Sequence, residues 1–217
     1  MKLLTSPASP FARKVRVVLI ETGQADQVTE IAAATDPLGD PVDVIHANPL
    51  GKIPALVRDD GPALYDSRVI TRYLDARAGA RLYPEARIWE VLTLEATADG
   101  IMDAALSMVL ETRIRAETER SAKWVEGQWR KVERGLDAII QPVVFAGMAA
   151  LIGVITLQIV SRVLFSAVGW TEEVARFLLV WITFLAGTLA FQRGRHIAVS
   201  FAVDALPLPM RKLARLA

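Results

Sequence analysis

The sequence predicts a small α/β domain, then α-helices, and then an all-α pair of transmembrane helices. Short apolar runs alternate with helical periodicity up to about residue 80, and residues 86–140 are charged and helical in pattern. No charged residue occurs from Val143 to Ser161, only a few positions after Asp137. A charged helical sequence, typical of a solvent-exposed helix, thus changes within a few residues into an uncharged, apolar segment.

The order of elements in the first 80 residues is typical of an α/β sandwich. An apolar run, "KLLTS", predicts a strand, and the helix that follows it has Val15, Val18 and Leu19 on one face. "VTEIAA" predicts a second strand, and two further strands are expected to turn at "DDG". A last helix opens at Asp66–Ser67. Strand, helix, strand, hairpin and helix together predict one sheet covered by helices.

Charge is divided unevenly along the 217 residues, although the net charge is only +1. Residues 142–217 carry seven Lys or Arg against three acids, whereas the remainder carries 18 bases and 21 acids. A mildly acidic part therefore precedes a basic, apolar part. Basic runs interleaved with aromatic residues are absent from the sequence, so nucleic acid is not an expected partner.

The absence of cysteine excludes a disulfide framework, a thiolate metal site and a cysteine nucleophile. No metal is expected, because His46 has no second histidine or carboxylate cluster at metal-binding spacing and is interpreted as a surface residue. The N-terminus "MKLLTSPASP" lacks the apolar core of a signal peptide, so we expect the first domain to remain where it is synthesised.

Three motifs resemble one family of enzymes. "SPASPFARKVRVVLIETG", "NPLGKIPAL" and "YDSRVITRYLDAR" are similar to the thioredoxin-like N-terminal domain of bacterial glutathione S-transferases. "LTLEATADGIMDAAL" and "RSAKWVEGQWRKVERGLDAI" resemble the first helices of the all-helical C-terminal domain of that family. The resemblance implies a thioredoxin-like, glutathione-binding domain over residues 1–80 and a partial helical domain over residues 86–140.

Ser9 is the candidate catalytic residue under this resemblance. It precedes a helix whose free N–H groups and positive dipole end favour an anion, and a thiol held there has a lowered pKa. A serine hydroxyl can donate a hydrogen bond to that thiolate. The alternative is that Ser9 only caps the helix, and Ser6 is a weaker candidate for the same role.

Five further residues are implied to bind glutathione. Pro54 occupies the family's cis-proline position, which implies that the Ile53 backbone pairs with the cysteinyl part of glutathione. Asp66 and Ser67, at a helix N-terminus, would take the γ-glutamyl end, and Lys52 the glycyl end. The alternatives are an ordinary trans proline at a strand edge, simple N-capping, and a solvated lysine.

Two apolar segments near the C-terminus predict transmembrane helices over about residues 143–165 and 175–192. The first contains 19 uncharged residues, which span about 28 Å in a helix, close to the ~30 Å hydrocarbon thickness. Bases precede the first segment and follow the second: Arg130, Lys131, Arg134, Arg193, Arg195, Arg211 and Lys212. Glu172 and Glu173 lie between the two, so the positive-inside rule predicts that both termini, and the soluble domain, face the cytoplasm.

The apolar part resembles a second family. "GWTEEVARFLLVWITFLAGTLAFQRGRHIAVSFAVDALP" is similar to the small membrane subunit (DctQ type) of tripartite ATP-independent periplasmic (TRAP) transporters. Such subunits normally have four spans and pair with a large permease subunit, whereas residues 143–217 supply two spans and a tail, "PMRKLARLA", predicted to be an amphipathic surface helix. Two families are therefore joined near residues 140–143, without a flexible linker between them.

Two functions follow as hypotheses. The first is a transferase-like protein of the inner membrane that binds glutathione as cosubstrate, conjugates it to electrophiles and is anchored in the lipid bilayer by its C-terminal part. The second is a fragment of the small permease subunit of a TRAP-type C4-dicarboxylate or organic-acid transporter, without catalysis, which packs against a large permease subunit. A homodimer is left open, since transferases of this type usually dimerise.

Overall fold

A three-stranded β-sheet forms the centre of the N-terminal part in the computed structural model, which describes residues 1–164 and 169–192. The strands are β1 (Lys2–Thr5), β2 (Thr29–Ala32) and β3 (Ala55–Val57), in the order β2-β1-β3. β1 is parallel to β2 and antiparallel to β3. The predicted hairpin is present in shortened form, because its second arm is a bridge in which Leu64 and Leu56 exchange two backbone hydrogen bonds of 2.9 Å.

Helices α1 (Pro10–Glu21) and α3 (Ser67–Ala78) pack on this sheet, and α2 (Val42–Ile45) is a single turn between β2 and β3. The apolar positions of α1 predicted from spacing are on its inner face: Val15 is fully buried and Leu19 nearly so. The core consists of apolar side chains from α1, α3 and the strands: Leu3, Val15, Leu19, Val28, Leu56, Ile70 and Leu74. This arrangement confirms the thioredoxin-like fold expected of the N-terminal part of the chain.

Helix α4 (Ile88–Ile114) is attached to the α/β part by a buried ionic network. Asp99, only 1% exposed, accepts hydrogen bonds from Lys14 at 2.8 Å and from Arg68 at 2.6 Å. Lys14 also donates to Glu95, one turn earlier on α4, at 3.2 Å. Because these contacts join the first half of α4 to α1 and α3, the chain divides into the units Met1–Ser107 and Met108–Ala217, with the boundary inside α4.

The second unit contains the end of α4 and two long helices, α5 (Ala122–Leu164) and α6 (Trp170–Gln192). Three short 3₁₀ turns complete the described elements: Ala25–Gln27, Glu85–Arg87 and Glu117–Glu119. The predicted junction at residues 140–143 lies inside α5, which continues through Pro142 without a break. The change from a charged to an apolar sequence therefore takes place within one helix, as expected from the absence of a linker.

Helices α5 and α6 pack along a narrow seam. The less exposed residues of α5 between 143 and 164 recur every three or four positions: Val144, Gly147, Leu151, Val154, Gln158 and Ser161. Those of α6 follow a similar spacing: Thr171, Val174, Ala175, Leu178, Ile182, Leu185 and Ala186. This periodicity is that of two helices packed side by side. At Gly147 an added Cβ would lie 3.0 Å from Ile182 Cγ1, so the helices approach closely there.

Outside this seam, α5 from residue 143 to 161 and α6 from residue 177 to 188 expose mainly apolar side chains, including Phe145 and Ile152 on α5 and Phe184 on α6. Within the described residues, α5 is the one helix that is long and apolar enough to cross a membrane, and only 6% of its most apolar stretch is buried. The second predicted span coincides with α6, but its crossing of a membrane stays a prediction. The predicted amphipathic tail lies outside the described residues.

We expect Gly147→Leu to destabilise the packing of α5 against α6 by about 1 to 3 kcal/mol, because a large side chain overfills the contact with Ile182. The measurement is SDS-induced unfolding of the detergent-solubilised protein, followed by tryptophan fluorescence. Gly153→Leu is the matched control, since no atom lies within 4 Å of a Cβ added at Gly153. Equal loss of stability in both variants would contradict the close approach at Gly147.

Candidate functional site

Three segments meet at the end of the sheet where β1 terminates. β1 leads through residues 6–9 into α1, and Leu4 near its end pairs with Ala55, the first residue of β3. Pro54 therefore lies at the same end of the sheet as the start of α1. The chain at Leu64 runs antiparallel to β3, hence in the direction of β1, so that α3 also begins at this end. The strand register thus brings the predicted site residues of all three segments to the same end of the sheet.

Ser9 is the N-cap of α1, and its hydroxyl oxygen accepts a hydrogen bond from the Ala12 N–H at 3.2 Å. The capping interpretation of Ser9 is therefore correct. It does not compete with the proposed chemical role, because a hydroxyl that accepts one hydrogen bond still has its own proton to donate. Ser6, the alternative candidate, lies in the preceding turn, where its carbonyl accepts from the Ser9 N–H at 3.1 Å.

The loop before β3 is held by Asn48, the first residue of "NPLGKIPAL", for which no role was predicted from the sequence. Asn48 is 2% exposed; its side-chain amide donates to the Lys52 carbonyl at 2.7 Å, and its Oδ1 accepts from the Leu50 N–H at 3.0 Å. Gly51 adopts a φ of +62°, and a Cβ there would lie 3.3 Å from Pro41, so glycine is favoured at this turn. The loop backbone is thus fixed up to the residue before Ile53.

The Ile53–Pro54 peptide bond is cis, in agreement with the position expected from the resemblance. Pro54 is buried, Ile53 is half-buried, and the Lys52 side chain is exposed to solvent. The structure therefore places the Ile53 backbone at the sheet end, between the buried proline and the loop that Asn48 holds.

The N-terminus of α3 provides the third side of the site. Asp66 is its N-cap, and its carboxylate accepts from the Arg68 N–H at 3.0 Å. Ser67, the first helical residue, is 2% exposed. The free N–H groups of a helix start favour a bound anion, so this position can hold a carboxylate.

Arg68 adds a positive charge next to this helix start and was not predicted from the sequence. Its hydrogen bond to Asp99 raises the pKa of the Arg68 guanidinium above its ordinary value. In this ion pair the Asp99 carboxylate is buried, whereas the Arg68 guanidinium is half-exposed. Lys14 donates to both oxygens of the same carboxylate, at 2.8 and 3.1 Å.

Tyr83 lies in the connection between α3 and α4, and its hydroxyl donates to Glu95 of α4 at 2.9 Å. Burial raises the pKa of Tyr83 to about 12, so the phenol is neutral at physiological pH. His46 lies at the C-terminal end of α2. Across residues 1–164 and 169–192, no group of histidine, aspartate and glutamate side chains has the arrangement of a metal site.

Two family models match the chain, one in each half. The family described as "Glutathione S-transferase, N-terminal domain" matches residues 8–77, and "Tripartite ATP-independent periplasmic transporters, DctQ component" matches residues 151–217. The Isethionate TRAP transporter permease protein DctMQ of Oleidesulfovibrio alaskensis is 36% identical over 87 residues, which are 36% of this chain and 14% of that protein. The matched segment thus corresponds to a small part of that permease.

The transferase similarity extends over a larger share of the chain. The uncharacterized GST-like protein YibF of Escherichia coli K12 is 34% identical over 143 residues, 64% of this chain and 68% of YibF. A glutathione transferase family member from Pseudomonas fluorescens Pf-5, solved with bound glutathione, is 32% identical, covers 95% of both chains and has a TM-score of 0.64. The chain therefore belongs to the glutathione S-transferase family, with a C-terminal segment that matches the DctQ component of TRAP transporters.

Proposed function

We propose that the chain binds glutathione at the end of β1 and holds its thiol as a thiolate. The observation that carries this proposal is the meeting of two helix starts and a cis-proline loop at one end of the sheet. Ser67 and Asp66 bind the γ-glutamyl end, the Ile53 backbone beside Pro54 pairs with the cysteinyl residue, and Lys52 reaches the glycyl carboxylate. The related structure from Pseudomonas fluorescens, which contains glutathione, supports this assignment.

The chemistry follows from the position of Ser9. The N-terminus of α1 stabilises a negative charge, and the Ser9 proton remains available for a hydrogen bond to the thiolate sulfur. A stabilised thiolate is the reactive nucleophile. Its sulfur attacks an electrophilic carbon, a new S–C bond forms, and the electron pair of the broken bond leaves with the departing group or is protonated by water. The function is therefore a glutathione conjugation.

We expect Ser67→Ala to weaken glutathione binding roughly 10- to 100-fold, because the variant loses a hydrogen bond to a charged group worth about 1.5 to 3 kcal/mol. Calorimetric titration of the full-length chain with glutathione measures the Kd. Ser121→Ala is the matched control: Ser121 caps α5 through the Trp124 N–H at 3.2 Å and has no proposed ligand contact. The absence of saturable binding to the wild type would refute the proposal.

Replacing Ser9 tests the thiolate separately from binding. We expect Ser9→Ala to raise the pKa of the bound thiol by about one unit, since a donor to the charged form is removed. The thiolate absorbs in the ultraviolet, so a pH titration of the complex gives this pKa. Ser6→Ala should leave it unchanged, and a shift in that variant instead would assign the role to Ser6.

The C-terminal segment carries a second function, that of a membrane anchor similar to the small permease of a TRAP transporter. The match of residues 151–217 to the DctQ component and the exposed apolar surface of α5 support it. Helices α5 and α6 span the inner membrane as a hairpin, with the bases Arg130, Lys131 and Arg134 on the cytoplasmic side. In the permease of Oleidesulfovibrio alaskensis the matched segment is part of a much longer chain, which favours a large permease as partner.

The anchoring predicts that the chain stays in the membrane pellet after carbonate extraction, because a helix satisfies its backbone groups internally and is stable in lipid. Trypsin added from the cytoplasmic side should cut after Arg134 and spare Arg176, which is exposed at the opposite end of the hairpin. Trypsin added after the membranes are opened should cut at both. A monodisperse preparation of all 217 residues without detergent would contradict the anchoring.

A further inference from the structure

We infer that Arg13, one helical turn after Ser9 on α1, binds the carboxylate of an acidic electrophile and so sets the substrate class of the proposed conjugation. The inference rests on the proposed glutathione binding at the end of β1. The Arg13 N–H donates to the Ser9 carbonyl at 3.0 Å. Residues four apart share one face of a helix, and their side chains lean toward its N-terminus. Arg13 therefore extends from the face that carries Ser9, toward the end of α1 where the thiolate is proposed.

The charge of Arg13 is not compensated by the fold, in contrast to the other two bases of α1. Lys14 is paired with two carboxylates of α4, and Arg16 donates to Glu30 of β2 at 2.8 Å. Arg13 is exposed, and within the part of the chain that the structure describes no side chain forms an ion pair or a hydrogen bond with its guanidinium. This cation is therefore available to a bound anion.

The position of Arg13 is unfavourable for α1 itself. The start of a helix is the positive end of its dipole, and the first turn of α1 contains no acidic residue that would offset a nearby cation. Bases are favoured in the last turn of a helix, where Arg113 of α4 lies. Departures from such local preferences are expected at functional sites. An anion bound next to Arg13 removes the repulsion between the guanidinium and the helix start.

The anion that Arg13 binds belongs to the second substrate. In the proposed complex the N-terminus of α1 and Ser9 hold the thiolate, and the start of α3 and Lys52 hold the two carboxylates of glutathione. The charge left for Arg13 is then one on the electrophile, which has to approach the same sulfur. The planar guanidinium presents two parallel N–H donors to a carboxylate. An electrophile that bears a carboxylate is therefore the class that fits.

An α,β-unsaturated carboxylic acid such as acrylate meets these requirements. The thiolate sulfur adds to the β-carbon and forms the new S–C bond. The π-electron pair of the C=C bond moves to the α-carbon, which takes a proton from water, and the product is a thioether with its carboxylate intact. Negative charge spreads from the α-carbon onto the carboxylate during the addition. A guanidinium paired with that carboxylate thus stabilises the developing charge as well as orienting the acid.

The test compares two inert conjugates, one with a propanoic acid on the glutathione sulfur and the other with the corresponding propanamide. Calorimetric titration of the detergent-solubilised, 217-residue chain gives the Kd of each. We expect the wild type to bind the acid about three- to tenfold more tightly than the amide, as a solvent-screened ion pair would give. Arg13→Gln should lose this preference and bind the amide as the wild type does. Arg113→Gln, which removes the same charge from an exposed position on α4, is the matched control and should keep the preference.

The remaining outcomes separate this role from the glutathione binding on which it rests. The preference for the acid should decrease as salt is added, which a purely structural role of Arg13 would not produce. A wild type that binds glutathione but binds acid and amide equally overturns the role of Arg13 alone, as does a preference that Arg13→Gln retains. If Arg13→Gln instead raises the pKa of the bound thiol and weakens both conjugates equally, Arg13 serves the thiolate and the inference is wrong. A chain that binds neither glutathione nor a conjugate overturns the proposed function and this inference together.

Discussion

The buried carboxylate of Asp99 is the constraint on which the transferase part depends. A carboxylate with 1% exposure is stable only if cations and hydrogen bonds replace its hydration. Lys14 from α1 and Arg68 from α3 meet at this group, so the two helices that border the candidate site are joined through α4. The start of α3, with Ser67, is therefore positioned by a charge pair and not by apolar packing alone. The two cations that compensate the charge of Asp99 thus hold α1, α3 and α4 together.

A second constraint governs α5, which passes through two chemical environments without a change of structure. Its first half has charged residues and its second half has none before Arg162, yet hydrogen bonding within the helix is independent of the surrounding solvent. Even Pro142, which lacks an N–H, leaves the helix continuous. The packing of α6 covers one strip of the apolar half and leaves the rest exposed. The side chains of α5, and not its backbone, therefore determine where along the helix a polar surrounding has to give way to an apolar one.

The two halves combine different kinds of chemistry in one chain. The thioredoxin-like part offers helix N-termini and hydroxyl groups, which suit a small anionic thiol, and the DctQ-like part offers apolar helix surface, which suits lipid and membrane helices. Under the two proposals, the glutathione-binding domain would be permanently attached to the bilayer. Because the sequence contains no cysteine, the chain has no thiol of its own to form a mixed disulfide.

Local patterns in the sequence determined the helix starts at Ser9 and Asp66, the inner face of α1 and the apolar segment of α5, because caps and periodicity act over a few residues. The cis bond before Pro54 was anticipated from a family resemblance, not from its composition. Only the tertiary structure decided the network of Asp99, whose partners are 31 and 85 residues away, and the close approach at Gly147. Such contacts depend on how elements pack, and no local spacing encodes which distant charge or side chain will be adjacent.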